Sequence, residues 1–201
     1  MPVIANPKKK ENIILTVGRI GTQQKNNEEL LVAFAKIAGR LPDWKIHLAG
    51  PVDDRIKPFI SDYFAAFPDL KDRVIFLGNI VDKADLYAEY SKSKIFVLTS
   101  VFEGAPNVYA EALFHGCAFI TSDIDAADDI IDFGNLGLKY PSGNTDALAE
   151  SMLTLCGAAD EEFMTRHISS ALKYANRYFD NERIARKLVF MLYNDQLRLF
   201  E

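Results

Sequence analysis

Short apolar runs alternate with longer amphipathic stretches along most of the chain, and this alternation constrains the fold more than any other feature. The runs IILTV, KIHLA, VIFL, IFVLT and AFIT are each short enough for a single buried strand. Between the first two runs, Leu30, Leu31, Phe34 and Ile37 recur at helical spacing. Such alternation predicts an α/β fold, a doubly wound Rossmann-like parallel sheet of about six strands with helices on both faces.

The predicted strands cover residues 13–17, 45–49, 74–77, 95–99, 118–121 and 136–140. Asn26 is expected to cap the first helix, with Glu29 as its capping-box partner and Pro42 beyond its end. Further helices are predicted at 56–67, 85–91, 107–115, 146–156, 161–178 and 182–199. Residues 1–12 contain two prolines and a lysine run, which favours a linker over a short frayed tail, and residues 13–201 are predicted to form one domain.

The composition excludes some classes of function. A formal net charge of −5 argues against a general nucleic-acid-binding surface. No apolar run approaches the roughly 18 residues of a membrane span. The two cysteines, Cys117 and Cys156, lie in apolar segments without metal-like spacing, which predicts buried, reduced thiols and a cytoplasmic location.

Ligands of a doubly wound sheet bind beyond the carboxyl ends of the strands. After the first predicted strand comes GRIGTQQKN, which places the cations Arg19 and Lys25 on the loop before a helix. Two cations there suit a diphosphate, although either could equally be a solvated surface residue. With Gly18 and Gly21 as its only glycines, this loop matches neither a Walker loop nor a dinucleotide fingerprint.

After the fourth predicted strand comes SVFEGAPNVYAEALFHG. Gly104 and Ala105 allow a close backbone turn and Pro106 suits the first turn of a helix, so the free amides of Asn107 and Val108 could bind an anion. The core stripe of that helix is expected to contain Tyr109, Ala112 and Leu113.

Two carboxylates flank this turn. Glu111 falls opposite the core stripe and could accept both hydroxyls of a ribose, while Glu103 precedes the helix. Alternatively, this stretch could be an ordinary turn that carries one solvated glutamate. His115, near the helix C-terminus, is expected to be a favourable cation.

The stretch SDIDAADDIID after the fifth predicted strand could suggest a metal site at Asp123 and Asp125. Carboxylates at the entry of a helix explain these residues better, because acidic side chains favour helix N-termini. No metal site is therefore predicted.

Taken together, the motifs resemble the retaining glycosyltransferases of family 4, which have the GT-B fold. The resemblance rests on Gly18-Arg19 with Lys25 six residues later, and on Ser100 followed by Glu-Gly-x-Pro-Asn and a second Glu eight residues after the first. The intervening segments HLAG and VIFLG also match, and the likeness runs from about residue 11 to residue 155.

The resemblance implies a role for each matched residue. Arg19 and Lys25 would hold the diphosphate of a nucleotide-sugar donor and neutralise charge on the leaving nucleotide, without a metal or other cofactor. The backbone of the Gly18 and Gly104 turns and of Asn107 and Val108 would approach the phosphates. Glu111 would bind the ribose, and Glu103 would bind the transferred sugar and stabilise an oxocarbenium-like transition state. The base would lie near Gly78, Asn79 and Ile80.

The chain also departs from the family pattern. Asp125-Ala126 stand near a glycine pair that many members have, with Asp129 near their Glu. The family's acceptor-binding half lies N-terminal to these motifs, so this chain is expected to be the C-terminal donor-binding half, inactive as an isolated half. Bacterial members build surface polysaccharides, which implies a lipid-linked sugar as acceptor. A non-catalytic nucleotide-binding or interaction module and a GT-B sugar-nucleotide epimerase are the alternatives.

Overall fold

The computed structural model describes residues 6–104 and 107–179. Six strands are present in this part of the chain: β1 (Glu11–Val17), β2 (Lys45–Ala49), β3 (Val74–Gly78), β4 (Ser93–Leu98), β5 (Ala118–Ser122) and β6 (Gly137–Tyr140). The helices are α1 (Asn27–Ile37), α2 (Lys57–Ala66), α3 (Lys83–Lys92), α4 (Asn107–Phe114), α5 (Ala127–Ile130), α6 (Thr145–Ala158) and α7 (Glu161–Tyr178). The helix predicted at 182–199 lies outside the described residues.

All six strands are parallel and their order is β3-β2-β1-β4-β5-β6. The predicted doubly wound fold is therefore confirmed. The strand order reverses direction between β1 and β4, whose registers align Leu15 with Phe96. Ligands of open α/β sheets bind beyond the carboxyl ends of the strands at such a switch point.

Two apolar cores cover the two faces of the sheet. The first core contains α1, α2 and α6 residues such as Phe34, Tyr63 and Met152. The second contains α3, α4 and α5 residues such as Tyr90 and Leu113. Both cysteines are buried free thiols, as the sequence predicts. In the described part of the chain, no helix combines the length and apolar character needed to cross a bilayer.

The start of the domain lies earlier than predicted. β1 begins at Glu11 rather than at residue 13, and a 3-10 turn, Pro7–Lys9, precedes it. Lys10 is buried, and its Nζ donates to the carbonyl oxygens of Ser93 at 2.6 Å, His115 at 2.7 Å and Tyr90 at 3.2 Å. Residues 10–12 therefore belong to the packed domain, and the tail can extend only up to about residue 9.

Two local predictions are wrong in detail. Asn26 precedes α1, but it adopts a left-handed conformation (φ 44°) and makes no side-chain cap. Its Nδ2 instead donates to Oε2 of Glu29 at 2.6 Å. His115 is not a favourable cation, because burial lowers its pKa. Its Nδ1 lies 2.7 Å from the carbonyl oxygen of Glu111, so the neutral ring donates a hydrogen bond there.

Candidate functional site

The loops that follow β1 and β4 are joined to one another at the switch point. Lys25 Nζ lies 2.5 Å from Oε1 of Glu103, and the hydroxyl of Thr99 donates to the carbonyl oxygen of Lys25 at 2.7 Å. The amide of Val101 donates to the carbonyl oxygen of Gln24 at 2.8 Å, and Gln24 Nε2 donates to the carbonyl oxygen of Phe102 at 3.1 Å. The two sequence motifs therefore form one structural unit.

Glu103 is the centre of this unit. Its side chain is only 7% exposed, and that of Lys25 is 17% exposed. Ser100 Oγ also donates to Oε1 at 2.5 Å, and Ser122 Oγ in turn donates to the carbonyl oxygen of Ser100. The hydrogen bonds to Glu103 from described residues all reach Oε1, which leaves Oε2 as the oxygen that can accept from a ligand.

Glycines at the strand ends allow the site to be compact. A Cβ on Gly50 would lie 1.8 Å from the carbonyl oxygen of Gly18, and Gly50 has φ 141°. A Cβ on Gly18 would lie 3.3 Å from Cε of Lys25, so the lysine stem crosses directly over the end of β1. The amides of Gly18 and Gly50 donate to the carbonyl oxygens of Ala49 and Gly78, which ties the ends of β1, β2 and β3 together.

Arg19 is exposed and lines a cavity of about 630 Å³ with Lys25 and with Arg55, which precedes α2. The loops after β1 and β2 are also hydrogen-bonded to each other here, because Ile20 forms an isolated parallel bridge with Val52. Sequence reasoning missed Arg55, because nothing in its local pattern distinguishes it from a solvated surface cation.

Glu111 lies on the other side of the unit, against α3. Its Oε1 accepts from Lys83 Nζ at 3.0 Å and its Oε2 accepts from the hydroxyl of Tyr90 at 3.1 Å. Burial raises the pKa of Tyr90, and the negative charge of Glu111 acts in the same direction, so this hydroxyl is protonated and donates. The core stripe of α4 is buried as predicted: Tyr109, Ala112 and Leu113.

The remaining predicted residues occupy three environments. Gly104 and Asn107 are exposed and line a second cavity of about 520 Å³, together with aromatic residues near the end of α7. Val108 is half-buried against the second core. Asn79 is exposed and Ile80 packs against the second core, beyond the end of β3. Ala105 and Pro106 lie outside the described residues.

The acidic stretch after β5 has structural contacts. Asp123 accepts a hydrogen bond from the amide of Ser142 at 2.8 Å, and Asp128 pairs with Lys139 at 2.7 Å. Asp125 is exposed just before α5. Within residues 6–104 and 107–179, no group of three or more His, Cys, Asp or Glu side chains could hold a metal ion.

Comparison with known proteins gives a family match. A family model described as "Glycosyl transferases group 1" matches residues 11–157, which contain every described element from β1 to α6 except the last residue of α6. The match covers both joined loops and Glu111.

Two curated relatives are similar to this chain. The phosphatidyl-myo-inositol mannosyltransferase of Mycolicibacterium smegmatis is 24% identical over 88% of this chain and 44% of its own length. The poly(glycerol-phosphate) alpha-glucosyltransferase of Bacillus subtilis is 27% identical over 88% of this chain and 25% of its own length. The chain therefore spans less than half the length of either relative.

Among solved structures, TarM of S. aureus, crystallised with UDP, fondaparinux and alpha-GlcNAc-glycerol, has the same fold as this chain. The TM-score is 0.75 with 19% identity, over 89% of this chain and 35% of TarM. At this identity the likeness establishes the fold alone.

Proposed function

The chain belongs to the glycosyl transferases group 1 family, and from this premise we propose that it is the donor-binding domain of a retaining, metal-independent glycosyltransferase. The donor would be a nucleotide-diphosphate sugar, and the sugar a hexose. Support comes from the curated relatives, which are named as a mannosyltransferase and a glucosyltransferase.

One observation carries the proposal: the contact between Lys25 Nζ and Glu103 Oε1 at 2.5 Å. It brings a cation from the loop after β1 to a carboxylate from the loop after β4, 78 residues away, at the point where this fold binds ligands. A donor consists of an anionic diphosphate next to a hydroxyl-rich sugar. A lysine beside a carboxylate can serve both parts.

In the proposed mechanism the protein positions the donor and stabilises charge as the sugar leaves the diphosphate. Lys25 and Arg19 would bind the phosphate oxygens and neutralise the negative charge that develops on the leaving nucleotide. Glu103 would accept a sugar hydroxyl through Oε2 and stabilise the oxocarbenium-like transition state. Glu103 is not assigned as a nucleophile, and retention is proposed from the motif set alone.

The nucleoside would lie on the α3–α4 side. Glu111 would accept the ribose hydroxyls, and the ribose would displace Lys83 from Oε1, since that lysine is 69% exposed and its ion pair is therefore weak. The base would contact the segment of Asn79 and Ile80. Asn107 and Val108 would supply backbone amides to the phosphates at the start of α4.

We also propose that the acceptor site lies on a further domain, because the chain spans only 44% and 25% of its two curated relatives. This chain would then bind donor without transferring sugar. Both relatives are named for acceptors that contain phosphate groups. For the whole protein we therefore propose a lipid-linked or polymeric acceptor. The reaction would belong to surface polysaccharide synthesis at the cytoplasmic side of a membrane.

The two alternatives are less well supported. Arg19, Lys25, Glu103 and Glu111 are all present beyond the carboxyl ends of the strands. A non-catalytic nucleotide-binding or interaction module would not require Glu103, the residue proposed to contact the transferred sugar. An epimerase is not among the curated relatives described above, which are both transferases.

The test is a thermal-shift titration with UDP, GDP and ADP. A nucleotide present at about 100 times its dissociation constant should stabilise the chain by about 2.7 kcal/mol, which is roughly 5–10 °C for a domain of this size. Glu111→Gln should weaken that nucleotide by about 10- to 100-fold, since a hydrogen bond to a charged acceptor contributes about 1.5–3 kcal/mol.

Glu150→Gln is the matched control, because Glu150 is an exposed glutamate on α6, on the opposite side of the sheet from Glu111. It should bind the nucleotide as the wild type does. Two outcomes would contradict the proposed donor site. Either none of the three nucleotides stabilises the wild type at millimolar concentration, or the best nucleotide stabilises the wild type, Glu111→Gln and Glu150→Gln equally.

A further inference from the structure

The loop that carries Lys25 enters α1 through a residue with an unusual backbone conformation. Asn26 lies between Lys25 and the first residue of α1 and has φ 44° and ψ 46°, in the left-handed region. In the described part of the chain, Asp132 and Phe133 are the only other non-glycine residues with positive φ. This conformation is unfavourable for a residue with a Cβ, although asparagine tolerates it better than most. Other contacts must therefore hold Asn26 in it.

Glu29, in the first turn of α1, provides these contacts. Asn26 Nδ2 donates to Oε2 of Glu29 at 2.6 Å, and the amide of Glu29 donates to the carbonyl oxygen of Asn26 at 3.2 Å. Glu29 is only 4% exposed. Burial raises its pKa, while the backbone of Gly143 and the hydroxyl of Tyr140 act in the opposite direction, so the carboxyl lies beside the end of β6. A buried carboxyl fixed in this way restricts the side chain of Asn26.

The backbone of Lys25 sets the direction of its side chain. The amide of Lys25 donates to the carbonyl oxygen of Thr22 at 2.9 Å, and its own carbonyl oxygen accepts from the hydroxyl of Thr99 at 2.7 Å. The side chain then crosses Gly18, where a Cβ would lie 3.3 Å from Cε of the lysine, and its Nζ lies 2.5 Å from Oε1 of Glu103. The course of this side chain therefore depends on the turn that Thr22 begins and Lys25 ends.

We propose that Asn26 and Glu29 are positioning residues for Lys25. Glu29 keeps Asn26 in the left-handed conformation, and that conformation directs Lys25 toward Glu103 and toward the diphosphate of the donor. The inference rests on the proposed function for the diphosphate, whereas the contact of Lys25 with Glu103 requires no ligand. A change of φ at Asn26 would rotate the turn that ends at Lys25 relative to α1, because this residue joins the two. Neither residue is proposed to touch the donor, so both act through Lys25.

The test is a double-mutant cycle on nucleotide affinity, measured by calorimetric titration of whichever of UDP, GDP and ADP stabilises the wild type most. Asn26→Ala should weaken binding about fivefold to tenfold, because alanine is strained in the left-handed region. Asn26→Gly should stay within about threefold of the wild type, because glycine adopts this conformation readily. In the Lys25→Met background, Asn26→Ala should change the affinity by less than about twofold, since residues that act through one group are not additive.

Glu29 is tested by loss and rescue. Glu29→Ala should weaken the nucleotide about threefold to fivefold, and Glu29→Gln should recover most of this loss, because its amide oxygen can still accept from Asn26. Asp160→Ala is the matched control for lost stability, because Asp160 caps α7 by accepting from the amide of Phe163 at 2.7 Å. It follows α6, which returns from the carboxyl ends of the strands to their amino ends. It should lose stability and keep its nucleotide affinity within about twofold.

Unchanged affinity in Asn26→Ala, or the same loss with and without Lys25, would overturn the inference. A Glu29→Gln variant as weak as Glu29→Ala would overturn the role of Glu29. If no nucleotide binds the wild type, the cycle of Asn26→Ala and Lys25→Met is measured by urea denaturation instead. A smaller loss of stability from Asn26→Ala in the Lys25→Met background would then leave the positioning of Lys25 standing while the donor-site proposal fails. Equal losses in the two backgrounds would overturn both.

Discussion

Lys83 Nζ lies 3.0 Å from Oε1 of Glu111, so the carboxylate assigned to the ribose hydroxyls already has a cationic partner within the protein. The pair is asymmetric in burial: the lysine side chain is 69% exposed and the glutamate 18% exposed. Tyr90 holds the other oxygen of Glu111. A ribose bound at Glu111, as proposed, would therefore compete with an exposed lysine at one oxygen and with a buried phenol at the other.

Removing the lysine should relieve this competition. Lys83→Met is expected to tighten nucleoside diphosphate binding by up to about fivefold, because an exposed ion pair is weak and screened by salt. The gain should shrink as the salt concentration rises. Calorimetric titration measures it, with Lys92→Met as control, since Lys92 pairs with Glu89 on the same helix. A loss of tenfold or more in Lys83→Met would show instead that Lys83 contacts the nucleotide.

Gly50 should tolerate no side chain. In Gly50→Ala the new Cβ would lie 1.8 Å from the carbonyl oxygen of Gly18, at a φ of 141°. Overpacking and backbone strain together should lower the free energy of unfolding by about 3 kcal/mol. Gly157→Ala is the control, because Gly157 lies in α6 with open space around it, and it should gain about 0.5–1 kcal/mol. Urea denaturation measures both, and equal stability of the two variants would refute the close approach.

Acid should destabilise the domain through two buried histidines. Burial lowers the pKa of His115 and of His167 below the usual value of 6.5, and the charge of Lys10 acts in the same direction. Below about pH 6.5 the unfolded chain binds protons that the folded chain does not. The free energy of unfolding should thus fall as the pH drops, by up to about 1.4 kcal/mol per pH unit for each histidine.

The measurement is urea denaturation between pH 7 and pH 5. The double variant His115→Gln, His167→Gln should show a shallower slope than the wild type over this range. An identical slope in both proteins would contradict the lowered pKa values, because it would mean that the two rings take up protons as readily in the folded state as in the unfolded state. His115→Gln alone should remove about half of the difference, because the two imidazoles contribute separately.

The fold was predictable from the sequence because its inner strands are buried on both faces. Runs such as IFVLT and AFIT therefore mark the strands without ambiguity, and the bounds of the predicted strands lie within two residues of the observed ones. The start of β1 was less clear, because Glu11 and Asn12 are polar and Lys10 is buried only through carbonyl partners from distant elements. No local pattern shows such a contact.

The candidate site was predictable only as separate pieces. Lys25 and Glu103 could each be singled out by the motif that contains it, but their contact across 78 residues depends on the parallel pairing of β1 with β4. His115 lies near a helix end, which suggested a cation, yet its burial decides its charge. Arg55 does not belong to any sequence motif. It lies beside the cavity because the isolated bridge between Ile20 and Val52 joins the loops after β1 and β2.

Substitutions in the Lys25–Glu103 pair can distinguish a loss of protein stability from a loss of contact with the ligand. Lys25→Met and Glu103→Gln both remove the same ion pair, so each should lose stability. Their effects on nucleotide binding should differ, because a nucleoside diphosphate has phosphates for Lys25 but lacks the transferred hexose proposed to contact Glu103.

The most direct measurement is the dissociation constant of the best nucleoside diphosphate for these two variants and the wild type, by calorimetry. The proposed function predicts that Lys25→Met binds at least tenfold more weakly, while Glu103→Gln binds as well as the wild type or more tightly. Equal affinity in all three proteins, or an equal loss in both variants, would contradict a donor diphosphate at Lys25.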